Sequence, residues 1–143
     1  MPYDDLIMEH IRNARNFRAP AGAARAVQGL NPLCGDDLTV YVRVESGVIV
    51  DAAFQCLCCG VSMASASILT EAVTGLRTTE AKALLGGIIA GLETGALPET
   101  AGAGPRALLA TARRYPARRR CALLPWATLE AALAGRSEPV TVR

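Results

Sequence analysis

The feature that most limits what this chain can become is a pair of alternating segments joined by a two-residue break. Leu38, Val40, Val42 and Val44 alternate with Thr39, Tyr41, Arg43 and Glu45; Ser46-Gly47 interrupts, and a second segment runs from Val48 to Gln55. A period of two puts each apolar set on one side of a strand, and the short turn predicts an antiparallel hairpin over residues 37–55. One apolar face of such a hairpin has to be covered. The covering elements follow in the sequence. Residues 62–74 fit a small-residue helix closed by Gly75. Ala81, Leu84, Leu85, Ile88, Ile89 and Leu92 mark an amphipathic helix, although Gly86 and Gly87 each cost about 1 kcal/mol relative to Ala. Gly95 to Pro105 reads as a loop. Pro105 to Arg114 reads as a short helix with Pro at its first position. Pro125 opens a last helix with Trp126, Leu129 and Leu133 on one face, ended by Gly135, and residues 135–143 read as a loose tail. Ahead of the hairpin, residues 4–13 predict a helix led by Asp4 and Asp5, and 14–30 read as irregular. The expected class is α+β, one domain over 1–143, with helices on one face of a sheet.

Composition narrows function mainly by exclusion. The formal net charge of +2 gives no electrostatic reason to bind nucleic acid. No apolar run reaches the ~20 residues of a membrane helix. The segment 1–13 has acids early and no apolar run, unlike a signal peptide. The expected setting is therefore the reducing cytoplasm, without membrane or nucleic-acid partners.

The five cysteines are then the informative residues. An odd number, three of them crowded into Cys56-Leu57-Cys58-Cys59, makes a poor disulfide framework and suits metal or thiol chemistry, with buried inert thiols as the bland alternative. Cys34-Gly35-Asp36 sets a thiol and a carboxylate two residues apart in a turn, where Gly35 allows the backbone to bend. That turn precedes the first hairpin strand. Cys59 follows the second strand and precedes a helix, whose N-terminus favours its thiolate. Antiparallel pairing brings the two ends together. Cys121, outside the cluster, can complete a tetrahedral set with Cys34, Asp36 and Cys59, suited to zinc or to one edge of an iron–sulfur cluster.

The ordered string Asn31-Pro-Leu-Cys-Gly-Asp36, a hairpin, Cys59-Gly-Val-Ser-Met-Ala-Ser-Ala-Ser67, Pro116-Ala-Arg-Arg-Arg-Cys121 and Trp126 resembles the IscU/NifU/SufU family. Leu6-Ile-Met-Glu-His10 and Asn13-Ala-Arg-Asn16 are similar to its opening helix, and the resemblance spans residues 3–134. It implies a three-stranded antiparallel sheet with helices on one face, and a metal site at Cys34, Asp36, Cys59 and Cys121 holding zinc or a nascent [2Fe–2S] cluster. It also implies a PLP-dependent cysteine desulfurase as sulfur donor and a downstream carrier or apo-protein as recipient.

Two features resemble the SufU branch. Arg120 stands where the IscU branch has a histidine, and a guanidinium cannot ligate a metal. Cys59 and Cys121 are 62 positions apart, longer than in the IscU branch. The SufU resemblance implies zinc at the site and a SufS-like desulfurase whose histidine displaces the first cysteine. Cys34 then becomes the sulfur acceptor; the IscU-like alternative makes Cys121 the acceptor. Cys56 and Cys58 occupy positions where the family usually has glycines, and are candidates as added ligands, as persulfide carriers or as strand fillers. Ala14 replaces a proline of the opening motif.

The remaining polar residues are given plainer roles. His10 is expected to pack rather than ligate. Arg113, Arg114, Arg118, Arg119 and Arg120 form a solvated face, a desulfurase docking surface, or electrostatic support for the Cys121 thiolate. Ser62, Ser65 and Ser67 serve helix start and close packing, with no histidine placed to activate a serine. The expected function is iron–sulfur cluster assembly, as scaffold or zinc-dependent sulfurtransferase. A structural zinc module without sulfur transfer is the alternative.

Overall fold

A computed structural model describes residues 3–20, 22 and 24–142. Helix α1 (Asp5–Arg12) starts where expected, with the Asp4 carboxylate accepting from the Ile7 N–H at 3.0 Å. Strands β2 (Asp36–Glu45) and β3 (Val48–Leu57) form the expected hairpin. Ser46 and Gly47 both take positive φ, 50° and 75°, as a tight hairpin turn requires. Leu38, Val40 and Val42 of β2 point inward and are buried, beside Ala52 and Phe54 of β3. On the outward face Tyr41 donates to Gln55, and Gln28 to Asp37, both at 2.8 Å.

The segment expected to be irregular, 14–30, contains strand β1 (Arg25–Asn31), antiparallel to β2 from Arg25↔Val42 to Asn31↔Asp36. Its inward positions are Val27, Gly29 and Asn31, so its inward face carries a single large apolar residue and shows no apolar alternation. Gly29 is needed there. A Cβ at this position would collide with Thr128 and Leu124, so the glycine lets the last helix press against the sheet. The tail is not loose throughout: Val140–Thr141 forms β4, parallel to β1 at Gly29 and Leu30. The sheet order is β3-β2-β1-β4, so the expected three antiparallel strands gain a short fourth. The free edge of β3 is partly covered as well, since Arg18 N–H donates to the Phe54 carbonyl and Phe54 N–H to that of Asn16.

Helices α2 (Gly60–Val73), α3 (Thr78–Thr94), α4 (Ala103–Arg114) and α5 (Arg119–Leu133) build the cover. A short 3-10 turn, Glu99–Ala101, interrupts the loop before α4. Pro105 is the third residue of α4 rather than the first. Pro125 likewise lies inside α5 and does not open it, which places Cys121 in the first turn of that helix. Helices α2 and α5 lie against the inward sheet face. The core between them holds Phe54, Leu38, Leu69, Leu124, Leu129 and Trp126, whose indole N–H donates to Ser65 Oγ at 2.9 Å.

Candidate metal centre

Three chain ends meet at one end of the sheet. Strand β1 finishes at Asn31, and the turn 32–35 is closed by the Cys34 N–H donating to the Asn31 carbonyl at 3.2 Å, with Gly35 at φ 71°. The turn leaves Cys34 exposed and sends Asp36 inward, 3% exposed, as the first residue of β2. Across the hairpin, Cys59 is the N-cap of α2. Its backbone N–H donates to Asp36 Oδ1 at 2.9 Å. From the other side, α5 presents Cys121, fully buried.

The Cys34 and Cys121 sulfurs and an Asp36 carboxylate oxygen all lie within 4.8 Å of one another. Cys59 is not in that group, but its thiol is hydrogen-bonded to that of Cys121. A tetrahedral zinc with Zn–S bonds of about 2.3 Å separates its donor atoms by about 3.8 Å. The three grouped donors, two thiols and a carboxylate within 4.8 Å of one another, are of the kind such an ion takes.

The polar groups around these donors are organised. Asp36 Oδ2 accepts from Asn31 Nδ2 at 3.3 Å and lies 3.0 Å from Ser62 Oγ. Asn31 Nδ2 also points at the Cys121 sulfur, 3.7 Å away, while its buried Oδ1 has no partner among the described residues. Ser62 Oγ lies 3.6 Å from the Cys59 sulfur and 3.2 Å from the Cys121 carbonyl oxygen. The Arg118 guanidinium hydrogen-bonds the Cys121 sulfur.

These contacts polarise the thiol pair. The hydrogen bond from Cys121, helped by the Ser62 N–H and hydroxyl, holds the Cys59 thiol below its ordinary range, against burial and the Asp36 charge. Cys121 is pushed up by the same hydrogen bond and then by burial. The two thiols titrate as a pair, with ionisation favoured at Cys59 and disfavoured at Cys121.

Sequence reasoning brought Cys34, Asp36, Cys59 and Cys121 to this place but missed Asn31 and Ser62 as its polar supports. Their signals were position alone: Asn31 sits beside the Pro32–Asp36 turn, and Ser62 is three residues after Cys59, where a first-turn side chain faces the cap. Of the arginines, Arg118 alone is drawn to Cys121; Arg113 instead caps the Gly95 carbonyl, and Arg119 reaches that of Glu93. His10 is buried and paired with Ser67 through Nδ1 at 2.6 Å, a packing role as expected. Cys56 and Cys58 are joined by a disulfide, and in that form neither offers a thiolate.

A model of the NifU-like N terminal domain matches residues 2–122. The chain belongs to that family. The iron–sulfur cluster assembly scaffold protein IscU of Thermotoga maritima is 35% identical over 97% of both chains. The zinc-dependent sulfurtransferase SufU of Bacillus subtilis is 31% identical over 92% of this chain and 89% of its own. Among solved structures, a SUF-system iron–sulfur cluster assembly scaffold protein from Fervidobacterium islandicum AW-1 superposes with a TM-score of 0.84 at 28% identity, over 93% of this chain and 97% of that one. This NifU-like chain therefore spans most of the length of both the IscU and the SufU relatives and shares its fold with the Fervidobacterium protein. Among its described residues, no helix is long and apolar enough to cross a membrane.

Proposed function

We propose that this chain is a cytoplasmic iron–sulfur cluster assembly protein that receives sulfane sulfur at Cys34, with Asp36, Cys59 and Cys121 holding a metal ion. One observation carries the reading: within a donor set that is otherwise buried or half-buried, Cys34 is exposed. It is the thiol an incoming persulfide can reach. Attack by the Cys34 sulfur on the outer sulfur of a donor persulfide forms one S–S bond and breaks another, and the donor cysteine departs as thiolate. No net oxidation or reduction occurs. The natural donor class is a PLP-dependent cysteine desulfurase of SufS type, and the product passes to a downstream carrier or apo-protein.

The donor set suits zinc, which when bound would keep its cysteine ligands ionised at neutral pH. A [2Fe–2S] cluster is the other candidate occupant, as cargo, and the IscU likeness over 97% of the chain favours keeping it. The test combines metal analysis of anaerobically purified protein with the Cys34→Ala variant. Zinc near one per chain, and loss of sulfur acceptance with part of the metal retained, supports the sulfurtransferase reading. Iron with matching sulfide supports the scaffold. Normal sulfur acceptance by Cys34→Ala refutes the role given to Cys34.

A further inference from the structure

Cys56 and Cys58 form a second thiol site that the reading above leaves unused. They flank Leu57, which is 82% exposed, and their Cα atoms stand 5.5 Å apart, within the ordinary range for a disulfide. The β2–β3 register pairs Leu38 with Cys56 and Asp37 with Leu57. One step further along that register, Cys58 falls opposite Asp36, on the inward side that Asp36 shares with Leu38 and Cys56. Strand β3 ends at Leu57, so Cys58 lies beyond the ladder. Both cysteines are half-buried, and Cys59 follows directly. Disulfides in a reducing compartment are usually transient and catalytic. A sulfur-accepting cysteine and a closable dithiol thus share one end of the sheet.

We infer that the Cys56/Cys58 pair reduces accepted sulfane sulfur to sulfide. The inference rests on the sulfur-receiving role proposed for the neighbouring centre. In the first step the Cys58 sulfur takes the outer sulfur from the acceptor persulfide, and the acceptor thiol is restored. The Cys56 sulfur then attacks the inner sulfur of the Cys58 persulfide. The bond to the outer sulfur breaks, its electron pair leaves with that atom, and hydrosulfide departs with the Cys56 proton. Two thiols lose two electrons and become the disulfide; one sulfane sulfur gains two and becomes sulfide. An external dithiol, through ordinary thiol–disulfide exchange, returns the pair to its reduced form. The chain thereby delivers sulfur at the oxidation level of a cluster sulfide.

The test uses the full chain, reduced, freed of reductant under anaerobic conditions and given one equivalent of glutathione persulfide or of a persulfide-loaded cysteine desulfurase. Sulfide is quantified, and peptide masses locate added sulfur and disulfides. The expected result is about one sulfide per chain, matched by a new Cys56–Cys58 disulfide. Cys56→Ser should cut sulfide release by about tenfold or more and trap an added sulfur on Cys58, and Cys58→Ser should leave it on the acceptor. If the wild type gains sulfur on Cys34 but yields no sulfide, or yields sulfide without the Cys56–Cys58 disulfide, the inference fails and sulfur receipt stands. If neither donor places sulfur anywhere and no sulfide appears, sulfur receipt fails and the inference falls with it. The wild-type peptide map decides these outcomes even where a variant folds poorly.

Discussion

The Ser62 hydroxyl lies 3.2 Å from the carbonyl oxygen of Cys121, the acceptor whose helical donor is missing because residue 125 is proline. Proline in a helix interior leaves the carbonyl four residues earlier without its N–H. Here that carbonyl belongs to a cysteine of the candidate metal centre, and the substitute donor comes from the first turn of α2. The same hydroxyl lies 3.0 Å from Asp36 Oδ2. It carries one proton, so it serves one acceptor at a time. Ser65, three residues further along α2, donates to the next carbonyl of α5, that of Ala122, at 2.6 Å. The contact of α2 with α5 and the placing of the donor atoms are therefore one arrangement.

Ser62→Ala removes that proton from a fully buried place. Asp36 Oδ2 keeps Asn31, but the Cys121 carbonyl loses its donor. The expected cost is about 1–3 kcal/mol of stability. Metal affinity should fall by about 10- to 100-fold, as for other residues that orient ligands from behind. Urea denaturation and a zinc competition titration measure the two effects. A variant with unchanged affinity would show that Ser62 supports only the helix contact.

Metal removal should destabilise the whole fold. The site ties β2, α2 and α5 together, so an ion bound to the folded chain alone stabilises it by mass action. At free zinc about 100 times the dissociation constant this amounts to about 2.7 kcal/mol. Chelation should lower the melting temperature, and Cys121→Ala should lose most of the zinc-dependent gain. Equal melting temperatures with and without zinc would argue against a bound ion at this site.

Some of this was legible in the sequence, and some was not, for identifiable reasons. The β2–β3 hairpin announced itself because one face is buried and the other solvated. Cys34, Asp36 and Cys59 followed from it, since pairing fixes which chain ends meet. Strand β1 was hidden because its inward positions are Val27, Gly29 and Asn31: a glycine that lets α5 approach and an asparagine hydrogen-bonded to Asp36 replace the apolar residues that would mark a strand. Strand β4 is two residues long, and its pairing depends on β1. Pro125 looked like a helix start because proline is common there; inside α5, the carbonyl it leaves without a donor lies 3.2 Å from the Ser62 hydroxyl of α2. The Cys56–Cys58 disulfide corrects the sequence reading: an odd, crowded set of cysteines read as a poor disulfide framework, and these two were given only ligand, persulfide-carrier and filler roles, whereas the end of β3 brings their Cα atoms to 5.5 Å.

Acidification should weaken the α1–α2 contact. His10 is buried there with Ser67, Glu71, Arg15 and Glu9 around it. Burial first, then the Arg15 charge, hold its pKa below the ordinary 6.5, against the opposing pull of Glu71 and Glu9. The unfolded chain then binds this proton at a higher pH than the folded one. The contribution is complete above pH 6.5 and is lost as pH falls from there through the folded pKa. His10→Asn, which keeps a polar atom near the Nδ1 position, should flatten this part of the profile. Melting temperatures of both proteins between neutral and mildly acidic pH test it through their difference, because the thiols titrate alike in both. Parallel profiles would exclude His10 as the source.

Gly29→Ala tests whether the close approach of α5 to β1 is required. The added methyl meets Thr128 and Leu124. Thr128 has little freedom to yield, since it is fully buried and its hydroxyl donates to the Leu124 carbonyl at 2.7 Å. Alanine itself suits the extended backbone at this position, so the penalty comes from packing. Overpacking of this kind costs about 1–3 kcal/mol. Because α5 also carries Cys121, any outward shift of the helix should weaken metal binding along with stability. Gly29→Ala with Thr128→Ser removes one methyl while keeping the hydroxyl, and should recover only part of the loss. If the single variant denatures at the wild-type urea midpoint, the contact is looser than these distances indicate, and Gly29 is not what seats α5.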